Sequence, residues 1–250
     1  MGYPNYPAKH AEAAFIRSEQ LRGPAQDQPM TLPEAVVICY QQSLWDAVCA
    51  DTAGTAQSVV GMRTLAAMDH KVGVVGGFGI GAPAACVVLE GLIAFGVKRF
   101  VSVGFAGSLQ PDLRIGDIVV CDKAIRDEGT SYHYLPASRY ALASPEVTAR
   151  LRTALEQLAI PYRLGTSWTI DAPYRETTAE IRLYQAQGVA TVDMEASALF
   201  AVAAYRGVEM GALFTISDLL AGDEWRQSFK GPEVRTGLQT VYQAALTSLT

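Results

Sequence analysis

The sequence predicts an α/β fold, in which a single domain surrounds one central β-sheet, mostly parallel or mixed, with helices on both faces. Short apolar runs alternate with longer amphipathic runs along the chain, which is the pattern of strands that feed into helices. The chain has 250 residues and half of them are hydrophobic, so it can bury a large core near the upper size of one domain. We therefore expect one domain over residues 34–250, preceded by an N-terminal extension over residues 1–33.

The first elements in chain order follow from the mixture of apolar and polar side chains. Residues 7–22 carry apolar residues among charged ones, which predicts a short amphipathic helix. A polar link through Pro24 and Pro29 follows it. The apolar runs AVVIC at 35–39 and VGVVGG at 72–77 then predict two buried strands.

The later elements are predicted by the same runs and by the residues that begin helices. Pro83 suits the first turn of a helix over 82–95, because the amide of that turn has no helical partner. Ser144 before Pro145 is a capping residue for the next helix. The remaining predicted strands cover 99–104, 117–122, 162–168, 189–194 and 210–217, and the remaining predicted helices cover 145–159, 176–187, 194–206 and 232–248.

Composition excludes several classes of partner. A formal net charge of −5 without a run of Lys and Arg does not suit a polyanion, so we expect no nucleic-acid partner. Apolar stretches are interrupted before about 18 residues, and the start has no signal-peptide core, so we expect neither membrane insertion nor secretion. The four cysteines form no CxxC pattern, which favours reduced thiols and a cytoplasmic location.

Two glycine-rich turns follow strands and are candidate ligand contacts. The segment GGFGIGAP at 76–83 lets backbone approach a ligand at Gly79 and Gly81, and VGFAGS at 103–108 is a second such turn. Ligands of open α/β sheets bind at the carboxyl ends of strands, where both turns fall. One alternative is a turn needed only for packing. Another is a nicotinamide site, since the first turn loosely matches GxGxxG, although the acid expected downstream is not evident.

Three carboxylates also lie at predicted strand ends. Asp193 and Glu195 stand where a strand feeds a helix, with Glu195 in the predicted first helical turn, and either could accept hydrogen bonds from sugar hydroxyls. The alternative is an acid that stabilises the helix dipole. Asp218 ends the apolar run TIS and could share a proton with a leaving group. Its alternative is an N-cap or an Asx turn.

Four segments in order resemble the nucleoside phosphorylase family, which includes purine nucleoside phosphorylases, uridine phosphorylases and methylthioadenosine nucleosidases. They are GIGAP at 79–83, VGFAGSL at 103–109 with LRIGDIVV at 113–120, VDMEASALF at 192–200 and TISDLL at 215–220. The resemblance covers roughly residues 34–248. It implies a central twisted, mixed sheet that is partly closed into a barrel and flanked by helices, and a homo-oligomer, either a dimer, a trimer or a hexamer.

The resemblance also implies roles for residues of the site. Met194 and Glu195 match the pair that packs on the ribose and binds its hydroxyls. Asp218 matches the acid that protonates or hydrogen-bonds N7 of a purine leaving group. An acid at the base and a clamp on the sugar both lower the barrier, because cleavage builds negative charge on the base and positive charge on the sugar. The base is expected to lie against Ala106 and Gly107, and Pro173 or Tyr174 falls where family members commonly have an aromatic residue that covers the base.

The chain departs from the family pattern where phosphorolytic members bind phosphate. The usual Gly-Asp-Pro and Arg after the first strand are replaced by CYQQSLWD at 39–46, Ser102 stands in place of a second Arg, and Phe105 replaces a Ser or Thr. Missing guanidinium groups remove charge-assisted hydrogen bonds of about 1.5–3 kcal/mol each. The Gly77–Gly81 backbone with Arg63 or Arg126 is the remaining phosphate site.

The nucleophile therefore stays open between phosphate and water. Hydrolytic members place a Glu just after the first strand, where this chain has Gln41, Gln42 and later Asp46. We expect cleavage of the N-glycosidic bond of a small-molecule nucleoside by phosphorolysis, with hydrolysis and a non-catalytic nucleoside-binding protein as alternatives. No metal or cofactor motif is apparent, and phosphate is the possible co-substrate.

Overall fold

The computed structural model describes residues 4–21, 32–51, 56–59, 63–68 and 72–250. The described residues form eleven strands: β1 (Ala35–Cys39), β2 (Ala56–Val59), β3 (Arg63–Met68), β4 (Val72–Val75), β5 (Arg99–Ser108), β6 (Ile118–Asp127), β7 (Tyr140–Leu142), β8 (Arg163–Ile170), β9 (Thr191–Asp193), β10 (Glu209–Leu219) and β11 (Arg226–Gln227). The same residues form six α-helices: α1 (Gln42–Asp51), α2 (Ala82–Ala94), α3 (Pro145–Gln157), α4 (Thr178–Ala186), α5 (Ala196–Arg206) and α6 (Pro232–Leu249).

Five strands of the sheet close into a ring. Strand β5 pairs with both β9 and β10, and the ring is completed through β9–β8, β8–β6 and β6–β10. Beyond β5 the sheet continues as an open extension through β1, β4, β3 and β2. The pairs β1–β5 and β5–β10 are parallel, whereas β5–β9 and β6–β10 are antiparallel. The predicted single α/β domain with a mixed, partly barrel-like sheet is confirmed.

Strand β1 shows why its sequence is apolar without interruption. Its alternate residues point to opposite faces of the sheet. Val36 and Ile38 join a core cluster that contains residues of α2 and α5, whereas Ala35 and Val37 join a second cluster that contains residues of α3 and α6. Helices α2 and α5 pack on each other, and so do α3 and α6. Because both faces of the strand are covered, neither face has room for a polar side chain.

The residues that begin and end the helices behave as their chemistry predicts. Helix α2 has Pro83 in its first turn and follows Gly81, whose φ of 100° favours glycine. Helix α4 begins with a capping box between Thr177 and Glu180. Helix α5 ends at Gly207, which is left-handed with a φ of 67°. None of the helices that the structure describes is long and apolar enough to span a bilayer.

The helix predicted over residues 7–22 is wrong for the part that the structure describes. Two short 3-10 helices, Pro7–Ala11 and Ser18–Leu21, stand there instead. Phe15 and Ile16 between them are 97% and 81% exposed, so these two apolar side chains do not pack against the described core. A short helix without a buried face is not stable in water. The predicted link through Pro24 and Pro29 lies outside the described residues, and the domain boundary at residue 33 stays a prediction.

Several elements are present that the sequence did not indicate. Helix α1 directly follows β1 and buries Leu44, Trp45 and Val48. Its pattern was obscured because only three of its residues face the core. Strands β2 and β3 form an antiparallel hairpin at the outer end of the sheet, and β7 and β11 are short strands beside β6 and β10. Strands of two or three residues are too short to show an alternating pattern.

Candidate active site

A cavity of about 580 Å³ lies at the carboxyl ends of β5, β9 and β10. Its volume falls in the range of roughly 300–1,000 Å³ that is typical of small-molecule sites. Eight of the predicted site residues line it: Phe105, Ala106, Gly107, Tyr174, Asp193, Met194, Glu195 and Asp218. The other two, Gly79 and Gly81, do not line the cavity. The structure therefore brings the second glycine turn together with the two segments that carry the acids. The first glycine turn reaches the cavity only through Ile80.

Glu195 is buried at the residue directly before α5, not within its first turn as predicted. The backbone N–H of Gly81 donates a hydrogen bond to its Oε1 at 2.6 Å. This contact uses the amide that the sequence suggested for a ligand. Burial, and then the charge of Asp193, raise the pKa of Glu195 to about 8. The carboxyl group is therefore mostly neutral at pH 7, and it can both donate and accept hydrogen bonds.

Asp193 is fully engaged by the protein. Its Oδ1 accepts hydrogen bonds from the hydroxyls of Ser167 at 2.7 Å and Thr169 at 2.8 Å. Its Oδ2 accepts from the backbone N–H groups of Glu195 at 2.8 Å and Ala196 at 2.6 Å. These four donors leave no strong acceptor position for a sugar hydroxyl. Asp193 thus fixes the turn that presents Glu195, in place of the direct contact with substrate that the sequence suggested.

Asp218 owes its position to a bulge in β10. Opposite β5, Ile216 pairs with Ala106 and Asp218 pairs with Gly107, so Ser217 is the extra residue. A bulge redirects side chains locally, and here it brings Asp218 to the cavity. A Cβ on Gly107 would lie 3.0 Å from Asp218 Oδ2. Glycine at 107 is therefore required for the carboxylate to lie against the strand.

Both oxygens of Asp218 accept hydrogen bonds. The hydroxyl of Ser217 donates to Oδ1 at 2.6 Å, and Nε1–H of Trp225 donates to Oδ2 at 2.8 Å. Asp218 is buried but still lines the cavity. The interpretation of Asp218 as an N-cap does not apply, because the residue lies within β10 and no helix begins there.

Glu176 is a second carboxyl at this end of the cavity, and the sequence gave no sign of it. It follows a single 3-10 turn, Pro173–Arg175, on the segment before α4. Burial, and then the charges of Asp218 and Glu180, raise the pKa of Glu176 to about 7. Such a group exists in both protonation states at neutral pH, as acids used in proton transfer do.

Tyr40 lines the cavity and directly follows β1, where phosphorolytic members of the family that the sequence resembles have Gly-Asp-Pro and an Arg. Its hydroxyl is 2.8 Å from the hydroxyl of Ser102, the residue that replaces an arginine. A Cβ on Gly104 would lie 3.0 Å from the Tyr40 ring, so the glycine makes room for it. Burial, and then the charge of Glu195, raise the pKa of Tyr40. The neighbouring Gln41 also lines the cavity, and its Oε1 is buried without a hydrogen-bond partner among the described residues.

Positive charge is absent from the described lining of the cavity, which contains neither Lys nor Arg. Arg126, one of the two arginines suggested for phosphate, is buried elsewhere. Its guanidinium donates to Ser131, Ser138 and the backbone oxygens of Leu135 and Pro136. That suggestion is wrong because these partners use its donors. The side chain of Arg63 lies outside the described part.

Aromatic rings form the rim of the cavity. The Phe105 and Phe229 rings stack with their centroids 6.3 Å apart, and the ring centroid of Trp225 lies 6.2 Å from that of Phe229. Tyr174 lines the opening and is 97% exposed. A flat, partly polar ligand would fit this surface, because aromatic rings stack on heterocycles while the carboxyls bind their polar edges.

Comparison with known proteins agrees with this arrangement. A family model described as the phosphorylase superfamily matches residues 20–247. Guanosine phosphorylase of Halorubrum lacusprofundi is 32% identical over 147 residues, which cover 58% of this chain and 61% of that protein. Uridine phosphorylase of Thermococcus kodakarensis is 32% identical over 154 residues, which cover 55% and 54%. The chain thus spans less than two thirds of the length of these relatives.

A solved structure has the same fold. The crystal structure of purine nucleoside phosphorylase from Toxoplasma gondii in complex with immucillin-H superposes with a TM-score of 0.78 at 20% identity, covering 95% of this chain and 97% of that one. The likeness confirms the fold that the four sequence segments implied. Since the family model extends over nearly all of the residues, the chain belongs to the phosphorylase superfamily.

Proposed function

We propose that this protein cleaves the N-glycosidic bond of a purine nucleoside and transfers the sugar to phosphate. The observation that carries the proposal is the pair of carboxyl sites in one cavity, Glu195 beside Gly81 and Asp218 beside Glu176. Bond cleavage leaves the base electron-rich and the sugar electron-poor. One carboxyl can protonate the base while the other binds the sugar, so each has a part in the reaction.

The sugar is assigned to Glu195 and Met194. Glu195 is held by the Gly81 amide and by the turn around Asp193, so its free carboxyl oxygen has a fixed direction. A fixed group binds with less loss of conformational entropy than a mobile one. Glu195→Gln should weaken binding of ribosides more than binding of free bases. Equal weakening of both would remove Glu195 from this role.

The base is assigned to the side of the cavity that holds Asp218. Asp218 donates a proton to N7, and Glu176 contacts a second polar atom of the heterocycle. A purine has polar atoms on both of its fused rings, so it can engage two carboxyl groups at once, which favours a purine over a pyrimidine. The rings of Phe105, Phe229 and Trp225 cover its faces.

Phosphate is the proposed nucleophile because the chain belongs to a family of phosphorylases, and water is the second candidate. The second candidate is favoured by the lack of any Lys or Arg in the described lining and by Tyr40, which lies where an anion would bind. A phosphate dianion beside carboxylates and without cations is repelled. Gln41, with its unpartnered buried Oε1, could then accept a hydrogen bond from water.

The experiment is release of free base from inosine, guanosine, adenosine, 5′-methylthioadenosine and uridine, each with and without phosphate. Phosphorus NMR identifies ribose 1-phosphate, and Asp218→Asn is the matched control for contaminating activity. Base release that requires phosphate supports the phosphorylase, whereas release that ignores phosphate identifies a hydrolase. No release from any nucleoside, with binding retained, identifies the non-catalytic binding protein.

We also propose that the protein is a homo-oligomer in the cytoplasm. All four cysteines lie in the described part of the chain and none is paired, which suits a reducing compartment. Exposed aromatic residues at the cavity rim suit a site that a neighbouring subunit completes. Sedimentation equilibrium tests the assembly, and a monomer at micromolar concentration would contradict it.

A further inference from the structure

Trp225 is the one tryptophan of the chain that is exposed, at 60%, and its indole reaches the candidate proton donor. It lies on the segment between β10 and α6. Strand β11 turns this segment back along β10, so that Gln227 pairs with Asp218 and Arg226 pairs with Leu219. The indole Nε1–H therefore meets Asp218 Oδ2 at 2.8 Å because the backbone holds it there.

The contact has a direction that matters for proton transfer. An indole N–H can only donate a hydrogen bond. Ser217 donates to the other oxygen, so both oxygens of Asp218 act as acceptors. Both hydrogen bonds that the described structure gives this carboxyl group thus come from donors, which is the arrangement that suits an ionised carboxylate. A proton on Oδ2 would face the hydrogen of the indole, and Asp218 must lose or rearrange this contact before it can donate that proton.

We propose that Trp225 is a positioning residue that holds Asp218 as an ionised acceptor before a base binds and releases it when a base enters, so that Asp218 can take up a proton from solvent water and pass it to the base. The indole also lines the cavity and packs against Phe229, so a heterocycle that binds against these rings competes for the same surface. Base entry is thereby coupled to proton availability at Asp218. The inference rests on the proposed function, in which Asp218 is the proton donor.

Other charged groups around Asp218 do not supply this control. Glu176, from the segment before α4, faces Asp218 and repels a second negative charge. Asp193 and Glu195, from β9 and the start of α5, line the same cavity. Arg226 is next to Trp225 in β11 and exposed. The direct donors to the Asp218 carboxylate in the described structure are Trp225 and Ser217, so substituting these two separates their effect from the background.

The test compares four variants by the pH dependence of kcat/KM with inosine as the probe. Trp225→Phe keeps an aromatic ring and removes the N–H, whereas Trp225→Leu removes both. Ser217→Ala removes the second donor, and Phe229→Leu removes the ring contact but keeps the N–H. Loss of one hydrogen bond to a charged group should move the limb on which activity falls with rising pH upward by about one pH unit.

We expect that shift in Trp225→Phe and Ser217→Ala, and only a raised KM in Phe229→Leu. Trp225→Leu should show the shift and the raised KM together. Repeating Trp225→Phe in a Glu176→Gln background must preserve the shift, since Glu176 then no longer titrates. An unmoved limb in Trp225→Phe, with a raised KM alone, would overturn the proposal and leave Trp225 as a cover for the base.

A second measurement does not depend on turnover. Trp45 and Trp168 are buried, so the emission that is lost in Trp225→Phe belongs to Trp225. In the ligand-free protein this emission should shift in Asp218→Ala, which removes the acceptor of the indole N–H. If no nucleoside is cleaved, the proposed function fails and this shift alone decides the contact. An emission unchanged by Asp218→Ala would overturn it.

Discussion

Replacing Glu195 with Gln should remove a pH dependence of stability that arises from one buried carboxyl. The pKa of Glu195 is raised from its ordinary value of 4.5 to about 8. The folded state therefore binds a proton that the unfolded state releases between these values. Folded-state proton binding makes the free energy of unfolding fall as pH rises, and the loss is complete above the folded pKa.

The magnitude follows from the size of the shift. At about 1.4 kcal/mol for each pH unit, the rise of the Glu195 pKa corresponds to roughly 4–5 kcal/mol between pH 4.5 and 8. Glutamine has nearly the same shape and can still accept the Gly81 N–H, but it does not titrate. The free energy of unfolding of the variant should therefore rise relative to that of wild type as pH rises. The new amide group adds a difference that does not depend on pH.

The assay is urea unfolding followed by the emission of the buried Trp45 and Trp168, from pH 5 to pH 8.5 at one protein concentration. Fixed concentration is needed because assembly adds to apparent stability. Glu176 titrates in both proteins and cancels in the difference, because Glu195 is not among the groups that raise its pKa. A difference between variant and wild type that stays flat across this range would refute the assignment of a raised pKa to Glu195.

Three further predictions concern the opposite side of the cavity. Asp218→Asn should lower kcat by about 100-fold or more while riboside binding, measured by calorimetry, changes little, because general acid catalysis contributes about 10²–10⁴-fold; equal losses in both would contradict the role of proton donor. Glu176→Gln should remove an activity transition near pH 7 from the pH profile of kcat/KM, and a transition that remains would belong to another group. Gly107→Ala should lower the free energy of unfolding by about 1–3 kcal/mol and displace Asp218, because its Cβ would collide with Leu220 and lie 3.0 Å from Asp218 Oδ2; full activity with normal stability in urea would show that the bulge tolerates a side chain.

The fold was predictable from the sequence where burial is continuous. Strand β1 and the core of β10 are apolar throughout because they are covered on both faces, and their runs are visible without any other information. Helix α1 was missed because only Leu44, Trp45 and Val48 face the core. The false helix at 7–22 had the composition of an amphipathic helix, but Phe15 is exposed and packs on nothing among the described residues.

The position of a site residue was predictable where the residue lies at the end of a strand and within a recognisable motif. Glu195 comes shortly after β9, and Asp218 lies next to the last residue of β10. Their segments therefore indicated where the cavity lies. Glu176 and Trp225 come from irregular segments that fold back over the cavity, and nothing in their local sequence shows that return. The role of Asp193 was also hidden, because its four donors come partly from β8, which is distant in sequence.

The closed ring of strands has a consequence for synthesis of the chain. Strand β10 is the last of the five ring strands to leave the ribosome, and it is the one that fits between β5 and β6. Until residue 219 has emerged, the backbone groups of β5 and β6 that it will occupy are open edges, which attract other chains. A nascent chain or truncation that stops before β10 should therefore depend on chaperones. Once β10 is in place, it covers the open edges of β5 and β6.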